Sequence, residues 1–152
     1  MSEIHRRLTE LGLALPAAPS APRAFVPVRR AGALLYVSGQ TPMRDGTLTV
    51  RGRVGREVDL DAACEAARLC VLNALARLDV EPGLDAVAEI IRLTVFVASA
   101  EDFTAQPAVA DAASTLLTDV FGPAGAHARS ALGVAVLPGD APIEVELIAL
   151  AR

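Results

Sequence analysis

The longest helical pattern in the chain, Leu60 to Leu78, carries Ala63, Ala67, Cys70, Ala74 and Leu78 on one stripe. Side chains this small let a helix lie close to the surface that covers it, and a β-sheet suits them. Asp59 precedes the pattern as an N-cap, while Asp61 and Glu65 complement the positive end of the helix dipole. A partner strand follows. From Ala86 to Val97 the sequence alternates with period two, Val87, Glu89, Ile91, Leu93, Val95 and Val97 against Ala88, Ile90, Arg92, Thr94 and Phe96.

The remaining elements fall in order along the chain. Ile4, Leu8, Leu11 and Leu15 lie at helical spacing between Ser2, a capping residue, and Leu15. Pro16, Pro19 and Pro22 turn the next stretch into an extended connector. Ala24 to Arg30 and Ala33 to Ser38 read as strands with a turn at Gly32, and Asp45-Gly46 reads as a tight turn. A second helix runs from Pro107 to Val120 and stops at Gly122-Pro123. Ala128 to Leu137 and Pro142 to Ala151 form the last strands, joined through Pro138-Gly139-Asp140. This order predicts an α+β fold, a mixed sheet with two helices on one face. The uncovered face is a physical reason for self-assembly.

At 152 residues the chain fits one domain, with residues 1–22 as an N-terminal helix and Pro-rich arm and 23–152 as the body. An apolar fraction of 53% favours an oligomer, although alanine inflates it. All 14 basic residues are arginine, the net charge is −4, and aromatics amount to four Phe and one Tyr. Those features weigh against nucleic-acid binding, which needs a basic footprint and stacking surfaces. No apolar run long enough to span a bilayer and no signal-like opening are evident, so a cytoplasmic location is expected. Cys64 and Cys70, six apart on one helix, match neither a redox pair nor a zinc motif. With only His5 and His127 as imidazoles, no metal site or cofactor is expected.

Chemistry concentrates in the final quarter. One side of its first strand carries Arg129, Ala131, Gly133, Ala135 and Leu137. The other carries Ser130, Leu132, Val134 and Val136, which suits a helix-packed core. The small-residue row beside Arg129 is therefore expected to be approached by a second subunit or a small ligand. On the last strand Glu144 and Glu146 share a face. An arginine and two carboxylates on neighbouring strands would supply a carboxylate clamp and a proton acceptor.

The run His127-Ala-Arg129-Ser-Ala-Leu-Gly-Val-Ala-Val-Leu-Pro138, followed by Pro142-Ile-Glu144-Val-Glu146-Leu-Ile-Ala149, resembles the C-terminal signature of the reactive intermediate/imine deaminase (Rid, YjgF-like) family, formerly called L-PSP endoribonucleases. Leu35-Tyr-Val-Ser38-Gly39-Gln40-Thr-Pro42 and Arg92-Leu-Thr-Val-Phe-Val97 with Asp102-Phe103 extend the match over residues 24–151. The resemblance implies a chorismate-mutase-like fold and a homotrimer with sites between subunits. It also implies hydrolysis of enamines or imines such as 2-aminoacrylate to 2-keto acids and ammonia, without cofactor or metal. Carried over by position, Arg129 would bind the substrate carboxylate and Glu144 would position or activate water. Backbone near Ala131 and the Ser38-Gly39 turn would line the pocket, together with Phe25 and His127. The chain departs from the family pattern at four places. Phe25 stands where Tyr is frequent, Ala131 where Cys is frequent, Pro107 where Asn is frequent, and His127 where Pro is usual.

Three classes of function remain at this point: an imine or enamine deaminase, a trimeric binder of small carboxylates without turnover, and a ribonuclease. Arg129 and Glu144 have structural readings too, as partners in a salt bridge. Glu146 reads as a structural residue paired with an arginine, and His127 as a solvated or subunit-contact residue. Ser38 has no His-Asp relay in view and reads as a hydrogen-bonding residue.

Overall fold

The structure, a computed structural model, describes residues 2–20 and 23–152. Pro22 and its neighbour Ala21, within the expected connector, lie outside the described residues, as does Met1. In chain order the elements are α1 (Glu3–Glu10), β1 (Val28–Ala31), β2 (Leu34–Gln40), β3 (Met43–Arg44), β4 (Thr47–Leu48), α2 (Leu60–Val80), β5 (Val87–Ala98), α3 (Gln106–Phe121), β6 (Ala128–Val134) and β7 (Ile143–Ala151). The main sheet has the order β1-β2-β7-β5-β6, and β3-β4 is a separate two-stranded hairpin. All main-sheet pairings are antiparallel except β5-β6, so the sheet is mixed.

Local chemistry explains the element ends. The Asp59 side chain accepts a hydrogen bond from the Ala62 N–H at 2.8 Å and starts α2. Ser2 caps α1 in the same way through the His5 N–H. Gly122, at φ 60°, ends α3 where a side chain would be strained. Asp45 and Gly46 both have positive φ and close the β3-β4 hairpin, with Arg44 opposite Thr47.

The core lies between the helices and one face of the sheet. Ala63, Ala67, Cys70, Ala74 and Leu78 of α2 are all buried, as the stripe required. They meet Leu93, Val95 and Val97 of β5 and Ile143, Val145 and Leu147 of β7 in one continuous cluster. Burial of a Leu or Val side chain is worth roughly 1.5–3 kcal/mol, so this layer dominates the stability of the body. The arm is joined to it. Leu8 is 3% exposed and belongs to the same cluster, with Ile4, Leu11, Leu13 and Leu15 packed against it. On the opposite face of the sheet, Tyr36, Arg92, Leu132 and Glu146 are exposed.

Three sequence expectations change. The first strand begins at Val28 rather than Ala24, because Pro27 has no N–H to extend the ladder. Arg129, Ala131 and Gly133 face the helices, not an open surface. Parallel pairing aligns them with Leu93, Val95 and Val97, whose side chains form the core. At Gly133, which stays exposed, a Cβ would lie 2.8 Å from Gln106 Nε2, the movable end of a side chain on α3. The strand also ends at Val134 rather than Leu137, since its partner β5 ends at Ala98.

Candidate functional site

Arg129 lies on β6, the edge strand, and points toward α3. Its Nη1 donates to Asp111 Oδ1 at 2.7 Å and to Ser114 Oγ at 3.2 Å. Asp111 and Ser114, three apart, present one face of α3 to the strand. His127 completes the cluster. Its Nδ1 lies 2.6 Å from the Gly125 carbonyl oxygen and its Nε2 lies 2.9 Å from Ser114 Oγ. A carbonyl only accepts, so Nδ1 donates to it, and in that tautomer Nε2 accepts a hydrogen bond from the Ser114 hydroxyl. Donation then runs from Arg129 to Ser114 to His127 to Gly125. His127, read from sequence as solvated or a subunit contact, is half-buried and bonded at both nitrogens within its own chain.

One nitrogen of the Arg129 guanidinium is held in this way. Its Nε and Nη2 have no partner among the described residues. That pair of donors is the planar fork that matches a carboxylate. Asp111 and Ser114 went unseen in sequence reading; the available signal was two polar residues at i and i+3 on an alanine-rich helix.

Glu144 lies elsewhere. It is on β7, on the face away from the helices, and opposite Phe96 of β5. The intervening β5 separates its strand from β6, so Arg129 and Glu144 are neither on neighbouring strands nor on the same face within one chain. The Glu144 carboxylate rests against Gly39 of β2, where it fills the space that a side chain would take. Partial burial, and secondarily the charge of Glu146, raise its proton affinity above the ordinary 4.5. Glu146 shares that face. It lines a cavity of about 350 Å³ with Arg29, Tyr36 and Arg92, yet no arginine is within ion-pair distance of it among the described residues.

The Ser38 hydroxyl donates to the Val26 carbonyl at 2.8 Å and its N–H to the Pro27 carbonyl at 2.9 Å, which fixes the segment before β1. Phe25 is exposed, with the Arg23 guanidinium 5.6 Å from its ring centroid. Ala131 lies beside Val95 on the helix face.

Against this geometry, the family model described as Endoribonuclease L-PSP matches residues 15–151. The chain belongs to the endoribonuclease L-PSP (YjgF/Rid) family. Protein TCP17 from Trypanosoma cruzi is 39% identical over 93% of this chain and 89% of its own. The 2-iminobutanoate/2-iminopropanoate deaminase of Escherichia coli K12 is 34% identical over 89% of this chain and 93% of its own. In three dimensions the protein Atu1372 from Agrobacterium tumefaciens superposes with a TM-score of 0.90 at 42% identity, covering 99% of this chain and 93% of that one. The mixed sheet with its helices on one face is thus the L-PSP family fold, and the resemblance read from the C-terminal signature holds. Among the described residues no helix is long and apolar enough to cross a membrane.

Proposed function

We propose that this L-PSP family protein hydrolyses small imino acids, and their enamine tautomers, to 2-keto acids and ammonia at sites between subunits of a homotrimer. The observation that carries the reading is the Arg129 guanidinium, clamped at Nη1 with its Nε and Nη2 edge unpartnered. Two parallel donors at that edge suit the substrate carboxylate. A 34% identical relative that bears the deaminase name supports the same chemistry.

Glu144 supplies the proton transfers. Water adds to the carbon of the protonated imine as the Glu144 carboxylate takes one water proton, and the protonated Glu144 then returns that proton to the carbinolamine nitrogen. The C–N bond breaks and ammonia leaves while the Glu144 carboxylate takes the hydroxyl proton and the carbonyl forms. A carboxylate whose proton affinity is raised by burial takes and returns a proton more readily than a solvated one, which suits both steps. Since Arg129 and Glu144 lie on opposite faces of one chain, the substrate must contact them from different protomers. The exposed sheet face and edge strand β6 provide surfaces for that assembly.

One observation favours binding without turnover. Phe25 and Ala131 offer no polar side chain where the family often places Tyr and Cys. Single-turnover hydrolysis of freshly generated 2-aminoacrylate distinguishes the two readings. Formation of pyruvate and ammonia above the spontaneous rate is expected, and pyruvate binding with no acceleration supports the non-catalytic reading. Light scattering should return three chains per particle; a monomer at micromolar concentration removes the intersubunit site.

A further inference from the structure

Arg77 of α2 is a cation nearly withdrawn from water. The residue is 7% exposed, and among the described residues no carboxylate lies within 4.0 Å of its guanidinium. Its hydrogen bond there is to a neutral group, from Nη1 to the Pro19 carbonyl at 2.7 Å. Buried arginines are ordinarily paired with an acid, so a lone one marks a position of positive potential. Burial, and then the nearby Arg23 charge, lower its proton affinity, which is the electrostatic sign of two cations facing one space.

That space is a cavity of about 470 Å³ between the arm and the start of β1. Arg77 and Arg23 line it with Phe25, Val26 and Val80, and Glu81 is the acidic residue on its wall. Phe25, Val26 and Val80 are large apolar residues left exposed here. A volume of this size falls within the roughly 300–1,000 Å³ of small-molecule sites. The cavity stands beside β1, at the opposite edge of the sheet from Arg129 on β6 of the same chain, and it takes Phe25, which the family resemblance assigned to the hydrolytic pocket.

We infer that the cavity under the N-terminal arm is a second ligand site, which takes a small carboxylate with an apolar or aromatic body. The carboxylate accepts from Arg77 and Arg23, and the body lies against Phe25, Val26 and Val80. Ala18, Pro19 and Ser20 form one wall, held there by the Arg77 bond to Pro19. Inorganic phosphate and acetate offer the charge without the body. They leave the apolar wall wet and bind more weakly.

Calorimetry on the full chain with phenylacetate as probe tests the assignment. Wild type and Arg129→Ala should bind it alike, which separates this site from the proposed hydrolytic one. Arg77→Met should weaken binding at least tenfold, with Arg77→Lys intermediate. Arg23 is exposed, so Arg23→Ala keeps the fold and should weaken binding severalfold even if Arg77→Met misfolds. Acetate and phosphate should bind at least tenfold more weakly than phenylacetate. Undetectable phenylacetate binding at millimolar concentration, or affinity unchanged in Arg23→Ala and Arg77→Lys, overturns the site. Loss of binding in Arg129→Ala shows that it is not separate, and equal binding of acetate removes the apolar body from the proposal.

Discussion

The carboxylate of Glu144 on β7 occupies the space directly over Gly39 on β2, where any side chain would begin. The two residues lie on adjacent antiparallel strands, near the bulge between Val37 and Gln40. Glycine here sets the position of an acid, rather than the shape of a turn. Gly39→Ala should therefore displace the Glu144 carboxylate and lower imine hydrolysis at least tenfold, with pyruvate affinity within a factor of three. Equal loss of binding and turnover would mean that the glycine serves assembly instead.

Arg129 and its helix partners give a graded expectation. Arg129→Ala should weaken pyruvate or 2-ketobutyrate binding by about 2–5 kcal/mol, by analogy with truncated charge pairs at interfaces. Lysine should restore part of this, because it keeps the charge and loses the fork. Asp111 is largely exposed, so Asp111→Asn should alter unfolding free energy by no more than about 1 kcal/mol. Calorimetry and denaturant titration check each value. Unchanged affinity in Arg129→Ala refutes the clamp.

The raised proton affinity of Glu144 fixes the sign of a pH effect. The folded protein holds this proton more tightly than the unfolded chain does. Its contribution to stability is therefore complete below the ordinary 4.5 and is lost as pH rises through the raised folded value. Glu144→Gln cannot titrate, so its stability should decline less over that window, as followed by urea midpoints across pH. The same variant should lower kcat by roughly 10²–10⁴-fold if Glu144 is the base. Glu146→Gln, exposed on the open face, should leave kcat within severalfold and act mainly on assembly.

The arm is the fourth test. Residues 2–15 bring Leu8 into the core cluster, yet the sheet and the α2-α3 layer contain their own buried core. Deletion of residues 1–22 should leave a cooperative unfolding transition with a lower midpoint. Leu8→Ala in the full chain should cost about 2–5 kcal/mol, as for other buried leucines. Loss of any cooperative transition on deletion would make the arm an integral part of the domain.

The sequence by itself determined the order of the elements and those ends that a local cap or turn sets. A capping carboxylate at Asp59, a left-handed stop at Gly122, the Asp45-Gly46 hairpin and the period of β5 are all local effects, written within a few residues of where they act. The C-terminal signature likewise marked the family and singled out Arg129 and Glu144. Tertiary structure decided which face each residue took and which strands became neighbours. Alternation along β6 defines two faces, but only its parallel register with β5 sends Arg129 toward α3 and leaves Leu132 exposed. Likewise, only the insertion of β5 between β6 and β7 separates the arginine from the carboxylate. The partners Asp111 and Ser114, and the contact between Gly39 and Glu144, were hidden for the same reason. Each acts on a residue distant in sequence, and side-chain periodicity carries no record of which distant element will be packed against it.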